Sequence, residues 1–340
     1  MRKRKYWLGI CICLLFLFIP QQGNAKAITK ISRKQNITMT KLTAALQRRI
    51  SATTPEEDSS SDLELICPAT RLSTARLPQG YTFDGVYYYY LTQLASFGSH
   101  KNDLRLTRVR YYEDGTYRES YMTLKQFGHG TNLDCVTHNG VTWLWTGSDA
   151  KGTSGATTTI SCFRFQAGKT LKKHSAIRYR IPIKGKKGRY GTNCYPAISP
   201  DGTRLAVRYT NHGGQTFQIY TLTDGTKINP KKPKKTVQRK NTPGVFQGFD
   251  IDGTTIYTLE GTASRSEMKE LGKASAYDPI RLRSYNYNTK VTTVQTIKGA
   301  AALSHREPEG IQISTDGQAI IMIASHYKEK YTCANVYGVK

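Results

Sequence analysis

YPAISPDGTRLAVRY, residues 195–209, contains the pattern that decides the fold: a hydrophobic segment, an Asp-Gly pair and a second hydrophobic segment. Asp-Gly and Asn-Gly pairs favour the positive φ angles of tight β-hairpins. Five such turns precede hydrophobic strands, and they begin at Asp84, Asn139, Asp201, Asp252 and Asp316. Their spacing of roughly 50 to 65 residues indicates five copies of one repeat.

Each repeat has room for about four strands, two around the turn and two in an outer hairpin. Repeats of this length with four strands are typical of β-propeller blades. The last repeat is one strand short, because only residues 331–340 follow its central hairpin, while residues 63–75 form an extra strand before the first. The sequence therefore predicts an all-β, five-bladed β-propeller that is closed by its N-terminal strand.

Ring closure by this strand would bring Cys67 close to Cys333, and we predict a disulfide between them. The alternative is two unrelated buried cysteines. Export would permit disulfides.

The N-terminus has the three parts of a secretory signal peptide. Basic residues 2–5 precede an apolar run at 8–19, and small residues at 23–25 provide a cleavage site. Twelve apolar residues span only roughly 18 Å as a helix, too short for a membrane anchor across a ~30 Å hydrocarbon core. We therefore predict a signal peptide at 1–25, a propeller at 63–340 and a secreted protein that is either free or associated with the cell wall.

Residues 26–62 between these parts are first basic and then acidic. A disordered spacer, a membrane-touching helix and a pro-segment all remain open for this leader.

Charge indicates the kind of partner. The chain has 50 Lys and Arg against 24 Asp and Glu, a formal net charge of +26. Two stretches without acidic residues, 169–189 and 227–240, could bind a polyanion; solvated charged loops are the alternative. The candidate residues are Lys172, Lys173, Lys186, Lys187, Arg189, Lys231, Lys232, Lys234 and Lys235. We predict an exported monomer whose partner is an anionic cell-wall polymer such as teichoic acid, or an anionic bacterial membrane, rather than nucleic acid.

A second candidate site lies where chain segments begin the innermost strands of the blades. Polar side chains from several blades would meet there at one mouth of the central channel. They are His129, Asn132, Asp134, Asn193, Gln247, Asp250, His305, Glu307 and Glu309. The alternative is that these side chains satisfy main-chain groups at the channel.

Catalytic signatures are absent from the sequence: it has no zinc helix, nucleophile elbow or phosphate loop. We predict no metal and no cofactor. Paired-carboxylate hydrolysis by Glu307 and Glu309 is a weaker alternative, and no catalytic residue is assigned.

Four segments, HGTNLDCV (129–136), YPAISPDGTRLAVRY (195–209), VFQGFDIDGTTIYTLEG (245–261) and EPEGIQISTDGQAIIMIASHY (307–327), resemble blade motifs of helveticin-type class III bacteriocins. The predicted propeller also resembles those of TagC-like teichoic-acid-associated proteins and of staphylococcal phage receptor-binding proteins. The resemblance covers about residues 80–340. It implies a five-bladed propeller in a secreted antibacterial or wall-polymer-binding protein.

The function we predict is therefore a secreted bacteriocin that binds anionic wall polymer on target bacteria. The alternatives are a non-lethal teichoic-acid-binding adhesion module and a propeller that cleaves glycans or phosphodiesters.

Overall fold

The computed structural model describes residues 61–340, except for 75, 96, 97, 99, 113, 153, 154, 184, 212, 213 and 328–330. The predicted signal peptide and nearly all of the predicted leader lie outside the described residues. Within the described part, no helix is long and apolar enough to span a membrane.

Five sheets form the five blades, and their strand pairs are antiparallel except for one pair in blade 1. Blade 1 contains β2 (Pro78–Phe83), β3 (Tyr88–Gln93), β4 (Leu104–Tyr111) and β5 (Tyr117–Lys125). Blade 2 contains β6 (Leu133–His138), β7 (Val141–Ser148), β8 (Thr159–Phe163) and β10 (Ile177–Tyr179). Blade 3 contains β11 (Thr192–Ile198), β12 (Arg204–Asn211), β13 (Gly214–Thr221) and β14 (Lys235–Lys240). Blade 4 contains β15 (Phe246–Asp252), β16 (Thr255–Glu260), β17 (Arg281–Asn286) and β18 (Thr292–Thr296).

Blade 5 joins the two ends of the described chain. It contains β19 (Glu307–Ile313), β20 (Ala319–Tyr327), β21 (Tyr331–Val339) and, as its outermost strand, β1 (Leu63–Leu72). The pairing of β1 with β21 is antiparallel, from Leu63 opposite Val339 to Leu72 opposite Thr332. The predicted five blades and their closure by the N-terminal strand are confirmed.

The predicted disulfide is wrong: Cys67 and Cys333 are both buried thiols that are not joined by a disulfide bond. Strand register explains why. Cys67 lies opposite Val336, and Cys333 lies opposite Arg71. A three-residue offset along a strand is about 10 Å, whereas a disulfide needs Cα atoms within about 7 Å.

Two elements depart from the predicted pattern. Strand β9 (Thr170–Lys172) lies between β8 and β10 in sequence but pairs in parallel with β5, which gives blade 1 a fifth strand. A short helix α1 (Arg265–Glu270) interrupts blade 4 between β16 and β17.

The innermost strands β2, β6, β11, β15 and β19 all run toward the Asp-Gly or Asn-Gly turns. We call the end that carries these turns the turn face, and the end where the innermost strands begin the upper face. Hydrophobic clusters fill the spaces between neighbouring blades; for example, Tyr81 and Tyr90 of blade 1 pack with Met322 and Val336 of blade 5.

Candidate functional site

Asn132 crosses the central channel. Its Nδ2 donates to Pro196 O at 2.7 Å in blade 3 and to Phe249 O at 3.0 Å in blade 4. Its Oδ1 accepts from Phe249 N at 2.8 Å. Asn132 is 3% exposed, and its side-chain amide links blade 2 to blades 3 and 4.

Asp134 repeats this bridging role between blades 2 and 3. Its carboxylate accepts from its neighbour Cys135 N at 2.7 Å and from Ile198 N at 2.5 Å. Burial raises the pKa of Asp134 to about 7, although these hydrogen bonds oppose the shift.

Asp250 has the equivalent contacts one blade pair further on, from Ile251 N at 2.7 Å and from Ile313 N at 2.5 Å. Burial, and then the nearby Asp134 charge, raise the pKa of Asp250 well above its usual range. In blade 5, Gln312 accepts from Phe83 N at 3.0 Å and so closes the ring toward blade 1. We call Asn132, Asp134, Asp250 and Gln312 the channel pins.

Glycines let the innermost strands approach one another at this level. A Cβ on Gly80 would lie 2.6 Å from Gly130 O, and one on Gly248 would lie 3.2 Å from Asn132 Oδ1. Larger residues at these positions would therefore separate the blades.

A different set of polar side chains meets at the upper face. His305 Nε2 lies 2.8 Å from Glu307 Oε2, and His305 Nδ1 lies 3.1 Å from Glu267 Oε1 on α1. Gln247 Nε2 donates to Glu307 Oε1 at 3.2 Å. The ring of His326 stands edge-on to that of His305, with centroids 4.9 Å apart. We call Glu267, His305, Glu307 and His326 the mouth cluster.

Burial and neighbouring charges together shift the pKa values of several side chains at and near the mouth cluster. Burial alone would lower the pKa of His305, but its hydrogen bonds to Glu307 and Glu267 outweigh burial and raise it. Burial, followed by repulsion from Glu307, raises the pKa of Glu309 well above its usual range. Burial lowers the pKa of His129, against the opposing effect of Glu307. The mouth is therefore rich in carboxyl and imidazole groups.

The nine predicted channel residues thus fall into separate groups. Asn132, Asp134 and Asp250 bond to main-chain groups, as the structural alternative proposed. The structure joins Gln247, His305 and Glu307 by hydrogen bonds, while His129 and Glu309 contact the amides of Gln93 and Gln79 at 2.9 and 2.8 Å. The remaining member, Asn193, contacts Thr210 Oγ1 at 3.4 Å.

Sequence reasoning missed Glu267 and His326. One signal was available for Glu267: Ser264 and Glu267 have the spacing of a capping box at a helix N-terminus. In the structure, Ser264 is the N-cap of α1, and its side chain accepts from Glu267 N at 3.3 Å.

A second candidate site is a groove between blades 3 and 4. Alternate residues of β14 face blade 4. Val237 is the buried residue of this face, and the residues two positions before and after it, Lys235 and Arg239, are basic. Lys235 Nζ lies 5.9 Å from the ring centroid of Tyr287, and the Arg239 guanidinium lies 3.8 Å from that of Tyr285. Cations and aromatic rings therefore alternate along this groove.

At the turn face, a cleft of about 320 Å³ lies between blades 3 and 4. Among the described residues that line this cleft none is acidic, and three are basic: Arg204, Lys234 and Lys235. Tyr287 and Asn288 form the opposite wall. Nearer the upper face, a separate small pocket of about 10 Å³ between the same two blades is lined by residues that include Arg239, Lys240 and Arg283. We call the larger cleft, at the turn face, the cationic cleft.

The structure does not unite the predicted polyanion-binding residues. Lys234 and Lys235 line the cationic cleft, whereas Lys231 and Lys232 are exposed on the preceding loop. Lys173 pairs with Asp149 at 2.7 Å. Of the other members, Lys172 ends β9, and Lys186, Lys187 and Arg189 lie in the β10–β11 connection. None of these four residues lines the cleft.

The fold and its closure define the chain as a five-bladed β-propeller with a pinned channel and a basic groove. The chain belongs to the family of phage five-bladed β-propeller receptor-binding platform domains, whose family model matches residues 78–324.

Two relatives place this membership in context. The chain is 26% identical over 253 residues to the putative major teichoic acid biosynthesis protein C of Bacillus subtilis strain 168. That match covers 72% of this chain and 54% of the relative, so the chain spans about half the length of the curated protein it matches. The tail fibre of Staphylococcus aureus phage P68 has a similar fold, with a TM-score of 0.58 and 16% identity over 86% of this chain and 56% of the fibre.

Proposed function

We propose that this protein is an exported receptor-binding propeller for an anionic cell-surface polymer, and that teichoic acid is the ligand class. The observation that carries the proposal is the cationic cleft, in which Arg204, Lys234 and Lys235 face Tyr287 and Asn288. Ammonium and guanidinium groups bind phosphates by charge-assisted hydrogen bonds, and an aromatic wall and an amide suit a polyol or sugar.

The family and the relatives support the proposal from another direction. A receptor-binding platform is by its description a surface-recognition domain, and the curated relative is named for teichoic acid biosynthesis. The net charge of +26 favours association with polyanions in general. The predicted signal peptide would deliver the propeller to the compartment where such polymers lie.

We further propose that binding leads to killing of target bacteria. This second step is supported by the motif resemblance to helveticin-type bacteriocins. Binding without killing corresponds to the adhesion alternative. The paired-carboxylate alternative predicts product release from wall polymer, which would be lost in Glu307→Gln.

One experiment separates these outcomes. Protein lacking residues 1–25 is incubated with cell walls of a Gram-positive panel, before and after chemical removal of teichoic acid, and bound protein and surviving cells are measured on the same strains. We expect binding that falls strongly after teichoic acid removal. Equal binding to stripped walls would overturn the proposed ligand class, and binding with full survival would reject the bacteriocin activity alone.

A further inference from the structure

Three segments that are distant in sequence meet at the upper face. Helix α1 provides Glu267, the turn before β19 provides His305, and β20 provides His326. One potential ligand atom from each lies within 4.8 Å of the other two. We propose that these three side chains bind a divalent transition-metal ion of the zinc type, a site independent of the cationic cleft.

Glu307 selects the nitrogen that His305 would present to the ion. Its Oε2 lies 2.8 Å from His305 Nε2, so the carboxylate holds a proton on that nitrogen. Gln247 fixes Glu307 through the other carboxylate oxygen at 3.2 Å. The lone pair is then left on Nδ1, which faces Glu267. Metal-binding histidines almost always donate their second ring N–H to a carboxylate, a carbonyl or water in this way.

The ligand geometry suits a small ion. His305 Nδ1 and Glu267 Oε1 are 3.1 Å apart, and two ligand atoms that each lie about 2.0–2.2 Å from zinc are separated by about 3–3.5 Å. His326 is exposed and so offers a path from solvent. Imidazole and carboxylate are ordinary zinc ligands, and three protein ligands leave one position open.

Contacts outside the ligand atoms hold the three segments in place. Ser264 N donates to His305 O at 2.6 Å, and Ser264 Oγ accepts from Glu267 N at 3.3 Å. Ser304 Oγ donates to His326 O at 2.7 Å. His305 itself has a φ of 68°, a conformation that costs a non-glycine residue energy. The site is therefore assembled by the fold before any ion arrives.

The alternative interpretation is that both ring nitrogens of His305 are protonated. The imidazolium would then bridge Glu267 and Glu307 without a metal ion. The two readings differ in what His326 does. As a metal ligand it determines affinity, whereas beside an imidazolium bridge it only packs against the ring of His305.

The test uses the whole chain after removal of residues 1–25 and dialysis against a chelator. Zn²⁺ is titrated by calorimetry, and Co²⁺ by its visible ligand-field absorption. We expect one ion per chain, with tetrahedral Co²⁺ bands, and at least about tenfold weaker binding in His326→Ala and in Glu267→Gln. Glu307→Gln should weaken binding by about 10–100-fold, as other outer carboxylate partners do.

His174→Ala provides the matched control, because His174 is exposed on the 3₁₀ helix Lys173–Ser175, outside the mouth cluster. It should leave the titration unchanged. His326 is exposed, so its truncation should preserve the urea-unfolding midpoint. Absence of Co²⁺ bands, or equal ion affinity in the wild type and His326→Ala, would overturn the metal site.

Discussion

In the central channel, Asn132, Asp134 and Asp250 direct their polar atoms at main-chain groups of neighbouring blades. In the cationic cleft, Lys234 and Lys235 instead extend along an open wall that contains tyrosine and asparagine. Both regions were recognised from polar residues in the sequence. Their surroundings separate them: buried polar groups bonded to main chain stabilise the fold, whereas exposed cations beside a cavity are available to a ligand.

Substitutions in the central channel and in the cationic cleft should therefore have opposite effects on stability and on affinity. A channel pin should affect stability and leave the affinity of folded protein for polymer unchanged. A cleft lysine should affect affinity and leave stability unchanged, because exposed charges contribute little to folding.

Removal of β1 should have the largest effect on the structural side. Leu63, Cys67 and Leu72 are each at most 1% exposed, and burial of three such side chains contributes about 5 kcal/mol or more. It would also leave the edge of β21 without a partner. A chain beginning at residue 78 should therefore unfold at much lower urea concentration than one beginning at residue 61, or aggregate. Equal midpoints would contradict ring closure by β1.

Asn132→Ala should have the next largest effect. It removes the partners of Pro196 O and of both Phe249 main-chain groups, at about 1–3 kcal/mol for each buried group left unsatisfied. Asn193→Ala is the matched control, since Asn132 and Asn193 both have left-handed φ angles, 63° and 53°. We expect Asn132→Ala to lower the free energy of urea unfolding by about 3 kcal/mol more than Asn193→Ala. Equal losses would mean that Asn132 is no pin.

The pH dependence of stability should show a smaller effect. The folded pKa of Asp134 is raised to about 7 from 3.8, so between these values the folded protein keeps a proton that the unfolded chain has released. Stability from this group is therefore present at low pH and is lost as pH rises toward 7. Urea unfolding should show a decline from about pH 4 to about pH 7. Asp134→Asn should make this decline shallower, and the buried Asp250, whose pKa is also raised, accounts for part of the slope that remains.

Asp201→Asn is the control for this pH experiment. The pKa of Asp201, at an Asp-Gly turn, is lowered; burial opposes the shift, but hydrogen bonds from Ser199 and Thr203 outweigh it. Its contribution is lost only as pH falls below about 4. If the decline in stability with pH is unchanged in Asp134→Asn, titration of Asp134 is not its cause.

Much of the fold could be predicted because its signals are local. The Asp-Gly and Asn-Gly turns fix hairpins over four residues, and five of them set the number of blades. Features that depend on partners distant in sequence could not be predicted. Strand β9 follows β8 of blade 2 in the chain but pairs with β5 of blade 1, and no local sequence pattern indicates this pairing. The register of β1 could not be predicted either, since it has irregularities between Leu65 and Cys67 and between Cys67 and Thr70.

The candidate sites were predicted less completely for the same reason. The positions of loops and strands predicted that Gln247, His305 and Glu307 lie at one end of the molecule. The hydrogen bonds of His305 also involve Glu267, which belongs to a helix that was not predicted. In the basic stretch, composition could not distinguish Lys231 from Lys235. The boundary of β14 distinguishes them: Lys235 begins this strand, whereas Lys231 lies in the loop before it.

The most direct test of the central claim compares two double variants with the same change in charge. Lys234→Gln with Lys235→Gln alters the cationic cleft, and Lys231→Gln with Lys232→Gln alters the adjacent loop. Affinity for purified wall teichoic acid is measured at low and high salt. Because a charge-assisted contact contributes about 1.5–3 kcal/mol, the cleft pair should lose at least about tenfold in affinity and show a shallower salt dependence. The loop pair should lose less than about threefold, as expected for screened charges. Equal losses in the two pairs, or no loss in the cleft pair, would contradict polymer binding at the cleft between blades 3 and 4.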